Sequence, residues 1–239
     1  MPTLEQLAAI YSNAYYDEIY PVEHYEEQKK LFGLRLEQIE AKGCQGQVLD
    51  LGCGRGAFVE AAMQRGWTVV AQEFSQAAIE RIKQRLGVEV LWSENPEELA
   101  FETGRFDLVH CNHVLEHLYR PNLVLSELHR VIKPGGYLYC EVPRESNLLN
   151  RLSGLVGGFG FEYMAEHLYL FDKPGLSLLL QEAGFEVDWI RIEGMEAPHR
   201  FVKGIHYQSA AASLIVLAAS LLRMQNWLGG GNLASLSRR

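Results

Sequence analysis

Two hydrophobic patterns take turns along this chain. Short continuous apolar runs read as buried strands, and segments with apolar residues every three or four positions read as helix faces. Val48–Leu51 is a run of the first kind and ends in glycines. Ala57–Arg65 carries Phe58, Val59, Ala62 and Met63 at helical spacing and stops at Gly66. Thr68–Glu73 predicts a second strand. Ser75 is a good helix N-cap, and Ala78, Ile79, Ile82 and Leu86 continue one face to Gly87. Val88–Trp92 and Phe106–Cys111 predict the third and fourth strands. Leu123–Ile132 predicts a helix ended by Lys133-Pro134-Gly135-Gly136, a turn feeding a fifth strand over Tyr137–Val142. Leu176–Ala183 predicts a helix closed by Gly184, Phe185–Ile192 a sixth strand, and Leu233–Leu236 a last short one. Alternating strands and helices imply a mostly parallel sheet with helices on both faces.

The flanks read differently. Residues 1–40 predict helix, are rich in tyrosine (Tyr11, Tyr15, Tyr16, Tyr20, Tyr25), and are interrupted by Pro21. These tyrosines either cap a ligand as a lid or fill a helical face. Residues 143–172 are irregular and glycine-rich, a second candidate lid. Ala210–Leu222 is apolar on every face but too short to span a bilayer, which takes roughly 20 apolar residues. It predicts a buried helix in preference to a membrane contact.

With 239 residues the chain fits one domain, 1–239, able to bury a core without staples. A net charge of −8 argues against nucleic acid as the partner, because phosphate binding leans on clustered Lys and Arg. Cys44, Cys53, Cys111 and Cys140 show neither metal-ligand nor disulfide spacing, and no signal peptide is evident. A reduced, cytoplasmic protein is expected.

The strongest chemical motif is Val48-Leu49-Asp50-Leu51-Gly52-Cys53-Gly54-Arg55-Gly56. Glycines after the first strand let the backbone turn tightly and approach a ligand. The spacing is G-x-G-x-G, whereas a dinucleotide fingerprint has G-x-G-x-x-G. Asp50 would face a pyrophosphate badly, yet it suits a cationic ligand.

This motif resembles the first motif of class I S-adenosylmethionine-dependent methyltransferases, and the resemblance extends over roughly residues 45–192. It implies a Rossmann-like, seven-stranded sheet with the last strand antiparallel. It also implies S-adenosylmethionine as cofactor, with Asp50 beside its amino-acid moiety and Gly52, Cys53 and Gly54 in close approach. Glu73 matches the family's strand-end acid, which accepts hydrogen bonds from the ribose hydroxyls, and Phe74 would pack on the adenine. After the third strand the family's adenine-site acid has no clear counterpart; Glu94, Asn95 and Ser93 are the candidates, and Asn95 is carried forward. Phe106-Asp107-Leu108-Val109 and His113-Val114-Leu115-Glu116-His117-Leu118 resemble the fourth strand and following helix of the ubiquinone-biosynthesis O-methyltransferase type. That implies Asn112 and His113 between cofactor and acceptor. Glu166-His167-Leu168-Tyr169 resembles the C-terminal half of small-molecule methyltransferases, where His167 would reach the acceptor. In that frame 1–40 is a lid, 45–192 the cofactor-binding core, and 143–172 with 194–231 the acceptor-pocket insertions.

His113-Val114-Leu115-Glu116-His117 also fits H-x-x-E-H, a zinc pattern with two histidines on one helix. It lacks a third ligand in the sequence, so no metal is expected. The resulting expectation is methyl transfer to a small-molecule acceptor, a hydroxyl in preference, with an apolar portion and with His113 or His167 as base. A non-catalytic S-adenosylmethionine-binding protein and a nicotinamide-dependent oxidoreductase are the rivals.

Overall fold

In a computed structural model of the chain, residues 25–88, 90–93, 96–97, 99–144, 167–193 and 232–239 are described. Tyr11, Tyr15, Tyr16, Tyr20, Asn95, the apolar segment 210–222 and most of the two insertions lie outside them.

The elements run α1 (Tyr25–Glu40), β1 (Gln47–Leu51), α2 (Ala57–Gln64), β2 (Thr68–Glu73), α3 (Gln76–Leu86), β3 (Val90–Trp92) and β4 (Phe106–Asn112). A 3₁₀ turn (Leu115–His117) follows, then α4 (Pro121–Val131), β5 (Ile132–Pro143), α5 (Lys173–Glu182), β6 (Glu186–Glu193) and β7 (Asn232–Arg238). The seven strands form one sheet in the order β3-β2-β1-β4-β5-β7-β6. The pairs from β3 through β5 are parallel, and β7 lies antiparallel between β5 and β6. The strand order reverses between β1 and β4, which opens the crevice at which such sheets bind ligands.

Local chemistry sets most boundaries. Ser75 Oγ caps α3 by accepting from the Ala78 amide, and Gly87 ends that helix in the left-handed conformation. Asp172 caps α5 through the Gly175 amide. One core cluster lies between the sheet and α4 and α5, with Leu125, Leu128, Leu138, Leu176 and Leu180 fully buried. A second lies under α1 and α2, built on Phe32, Leu36, Val48, Phe58, Leu108 and Tyr139.

Two expectations are corrected. Lys133–Gly136 is no turn outside the sheet: β5 begins at Ile132 and absorbs these residues, with a register shift opposite Phe106–Leu108. Gly136 leaves no room for a side chain there, since a Cβ would sit 2.8 Å from the Asp107 carbonyl oxygen. The second concerns His113-Val114-Leu115-Glu116-His117. Only Leu115–His117 is helical, as one 3₁₀ turn, and His113 sits at φ +54°. His113 and His117 therefore do not share a helix face.

Candidate active site

A cleft opens at the crevice between the C-terminal ends of β1 and β4. Asp50, Gly52, Cys53 and Gly54 line it from β1 and the glycine turn, and His110, Asn112, His113 and His117 from β4 and beyond. Phe58 of α2 and Gln28 and Phe32 of α1 close the opposite side. Five of the expected cofactor residues and one of the expected bases thus meet in one place.

The glycine turn is held from below. The Gly52 and Cys53 amides both donate to the Gln72 carbonyl, each at 3.0 Å. Gly52 has φ +69°, and a Cβ there would lie 2.5 Å from Val114 Cγ2. Only glycine lets the turn and the segment after β4 approach so closely. Cys53 is buried, and its burial, with the charges of Asp50 and Glu73, keeps the thiol well above its ordinary pKa. It is a lining group and not a nucleophile.

Asp50 and His110 are register partners across β1 and β4, and both are almost fully buried. His110 Nδ1 lies 2.7 Å from Asp50 Oδ1. The His110 ring stacks on Phe58 with centroids 3.7 Å apart. Burial raises the Asp50 pKa, and the electrostatic attraction and hydrogen bond of His110 oppose that rise. Asp50 Oδ2, His110 Nε2 and Asn112 Oδ1 are buried with no hydrogen-bond partner among the described residues.

Glu73 and Phe74 do not line this cleft. Glu73 is buried, and its carboxylate is already engaged by backbone: Oε2 accepts from Gly54 at 2.8 Å, and Oε1 from Phe74 and Ser75 at 2.7 and 2.9 Å. It clasps the glycine turn to the start of α3. The Trp92 indole donates to the Phe74 carbonyl at 3.0 Å, placing a second large ring beside Phe74.

Beyond Asn112 the polar groups form a chain. His113 Nδ1 lies 3.1 Å from Glu116 Oε1, and His113 Nε2 lies 3.1 Å from Asn232 Nδ2. Asn232 Nδ2 also donates to Glu141 Oε1 at 2.6 Å. Buried Arg35 from α1 contacts Glu141 at 2.8 Å and Glu193 at 2.7 Å. Burial disfavours the imidazolium of His113, but Glu116, through its hydrogen bond and charge, and Glu141 outweigh it and raise the pKa. His167 stands outside the cleft, its ring 4.9 Å from that of His117. Glu116, His117 and His167 each bring a possible ligand atom within 4.8 Å of the others. The third donor that the sequence could not name is therefore present, in a trio that omits His113.

Tyr25, the one N-terminal tyrosine described, packs against the turn, not over the cleft. Its hydroxyl lies 2.7 Å from Glu60 Oε2 and 3.1 Å from the Gly56 carbonyl. His110, Gln28, Phe32, Arg55 and Phe58 are among the cleft residues that the sequence reading missed. The signal for His110 was a polar residue inside the apolar run of β4, directly opposite Asp50.

Residues 22–189 match the family model described as a methyltransferase domain. The chain belongs to the methyltransferase family. As a methyltransferase it is similar to the ubiquinone biosynthesis O-methyltransferase of Pseudomonas aeruginosa, 34% identical over 169 residues that cover 64% of this chain and 71% of the relative. Its fold matches a SAM-dependent methyltransferase from Archaeoglobus fulgidus, with a TM-score of 0.61 at 23% identity, covering 88% of this chain and 94% of the other. It also matches the Burkholderia thailandensis 1,6-didemethyltoxoflavin-N1-methyltransferase crystallised with S-adenosylhomocysteine, with a TM-score of 0.64 at 20% identity over 100% of this chain and 91% of the other. Among the described residues of this methyltransferase, no helix is long and apolar enough to cross a membrane.

Proposed function

We propose that this methyltransferase moves the methyl group of S-adenosylmethionine to a hydroxyl of a small-molecule acceptor with an apolar portion. The observation that supports the cofactor is the cleft's chemistry: the Asp50 and Asn112 side chains bring buried oxygen acceptors with no partner among the described residues, beside a glycine turn open to close approach, and the Asp50 carboxylate would repel a phosphate. Such a site suits a ligand with an ammonium and a sulfonium and no phosphate, and it disfavours a nicotinamide dinucleotide. The hydroxyl acceptor rests on the similarity to relatives named O-methyltransferase.

When bound, S-adenosylmethionine supplies an electrophilic methyl carbon on a positively charged sulfur. The acceptor oxygen forms a bond to that carbon as the carbon–sulfur bond breaks, the sulfur keeps the electron pair, and the hydroxyl proton leaves to a base. Asp50 and Asn112 are assigned to the amino-acid end, with Gly52, Cys53 and Gly54 as the close backbone wall. Glu73 is assigned to the ribose, with Phe74 to the adenine. Asn95 keeps its assignment near the adenine.

His113 and His167 are the proposed bases. His113 holds Glu116 through Nδ1, which leaves Nε2 as the accepting nitrogen. Asn232 occupies that nitrogen, so base action requires the Asn232 amide to turn toward Glu141 alone. The sulfonium is already an activated leaving group, so the proposed reaction needs no metal. Residues 143–172 and 194–231, with the apolar 210–222 segment, are proposed to wall the acceptor within a single domain. The four cysteines are free and buried, which fits the proposed cytoplasmic setting.

Turnover with S-adenosylmethionine and a panel of phenolic, alcoholic and amine acceptors tests this reading. Mass spectrometry should find methyl ethers and S-adenosylhomocysteine in equal amounts. Methylamine products alone would overturn the hydroxyl assignment.

A further inference from the structure

His110 has no part in the chemistry proposed so far, yet it lines the cleft. Its ring is fixed on three sides: Phe58 stacks on it, Phe32 meets it edge-on at 5.2 Å, and Tyr139 lies 5.7 Å away. Its Nδ1 is spent on Asp50 at 2.7 Å. A neutral imidazole carries one N–H and one bare nitrogen. With the proton on Nδ1, facing a carboxylate oxygen, Nε2 is a hydrogen-bond acceptor. That Nε2 is buried and has no partner among the described residues, and His110 lines the cleft.

Two other side-chain atoms in the same cleft share this condition, Asp50 Oδ2 and Asn112 Oδ1. With His110 in that tautomer, all three accept and none donates. A buried acceptor without a donor is costly, and three from adjacent strand ends in one cleft point to a ligand that brings several donors. A primary ammonium brings three N–H groups and a positive charge. We infer that His110, as the neutral Nδ1–H tautomer, is a cofactor-binding residue whose Nε2 joins Asp50 Oδ2 and Asn112 Oδ1 in an acceptor set for the α-ammonium of the cofactor. This rests on the assignment of Asp50 to the amino-acid end. It adds a third acceptor and a reason for the Asp50–His110 bond: that bond turns Asp50 Oδ2 into the cleft and fixes which imidazole nitrogen is bare.

The test compares two ligands by titration calorimetry. S-adenosylhomocysteine carries the ammonium, and 5′-methylthioadenosine keeps the thioadenosine but lacks the amino-acid end. His110→Phe keeps the aromatic stack and removes both nitrogens. His110→Asn keeps a donor toward Asp50 and removes the acceptor at the Nε2 position. Both variants should weaken S-adenosylhomocysteine at least about tenfold while 5′-methylthioadenosine stays within about threefold, which also shows that the variant is folded. If His110→Phe does not fold, His110→Asn carries the test alone. His110→Asn with unchanged S-adenosylhomocysteine affinity overturns the role of Nε2. Equal weakening of both ligands overturns it too, because that marks a merely structural residue. Wild-type protein that binds neither ligand would instead sink the cofactor assignment on which the inference stands.

Discussion

Replacing Glu73 with alanine should weaken the fold as well as the cofactor. A strand-end acid assigned to a ribose is expected to wait in solvent, and its loss would then leave stability untouched. In the structure Glu73 is buried and accepts three backbone N–H bonds, from Gly54, Phe74 and Ser75. The Ser75 amide is fully buried, whereas water can reach the other two in part. Stranding one buried donor costs about 1–3 kcal/mol, and two half-exposed ones add roughly 1 kcal/mol together. The sum, ~2–4 kcal/mol, is a large share of a stability of about 5–15 kcal/mol. For a domain of this size it corresponds to a fall in Tm of at least about 4 °C. Glu73→Gln keeps one carbonyl acceptor but presents an NH₂ group to the remaining donors, so it should fall between. Scanning calorimetry without ligand, beside S-adenosylhomocysteine titration, reads both effects. A Glu73→Ala protein with a Tm within 1 °C of wild type would refute the clasp, and one with unchanged S-adenosylhomocysteine affinity would remove Glu73 from the cofactor site.

Of the two proposed bases, the one that takes the acceptor proton should lose about 10²–10⁴-fold in kcat when changed to asparagine, with S-adenosylhomocysteine affinity kept; if neither His113→Asn nor His167→Asn slows turnover tenfold, base catalysis by these histidines is wrong. Because Glu116 and Glu141 together outweigh burial and raise the His113 pKa, the acid limb of the kcat profile should lie above the ordinary histidine value of about 6.5 and move to lower pH in Glu116→Gln. By the same sign, the stability that His113 contributes is complete below about pH 6.5 and lost as pH rises through its folded value; an unmoved limb in Glu116→Gln would contradict this. Protein purified without metal-affinity resin should contain well below one divalent ion per chain; a stoichiometric ion lost together with His167→Ala would assign Glu116, His117 and His167 as a metal site.

What the sequence showed depended on whether a residue's neighbours were near in the chain. Ser75 and Gly87 bound α3 as read, because a cap acts within one turn. Asp50 and the glycines lie where the motif put them. The His113–His117 segment failed because its conformation is set from outside. Val114 packs onto the bare Cα of Gly52, and the His113 amide donates to the Glu141 carbonyl at 2.8 Å. Those two anchors override the helical spacing of Val114, Leu115 and Leu118 and leave one 3₁₀ turn. Lys133–Gly136 differs for a related reason: a Pro-Gly-Gly sequence signals a turn, but here the four residues bulge within β5 opposite Asp107, between the Ile132–Phe106 and Tyr137–Leu108 pairs, and the Gly135 amide donates to the Arg239 carbonyl. Arg35, Glu141, Asn232 and Glu193 are scattered over most of the chain, and only the sheet order brings them together.

Unsatisfied polar atoms are concentrated on residues of the proposed cofactor cleft. Six buried side-chain nitrogen and oxygen atoms among the described residues lack a protein partner, and three of them, on Asp50, His110 and Asn112, line the cleft. Each such atom costs about 1–3 kcal/mol, so three together offset a substantial part of a marginal stability. A fold does not need these groups at the ends of β1 and β4, where apolar residues would pack without that cost. Arg35 and Glu141 differ in that their charges pair with one another at 2.8 Å and tie α1 to β5, although Arg35 Nε is also one of the six. The unsatisfied trio becomes favourable only when a donor-bearing ligand enters. Binding to the folded state alone would then stabilise it by mass action, so on the proposed assignment the cost at the strand ends and the affinity for the cofactor are two readings of the same atoms.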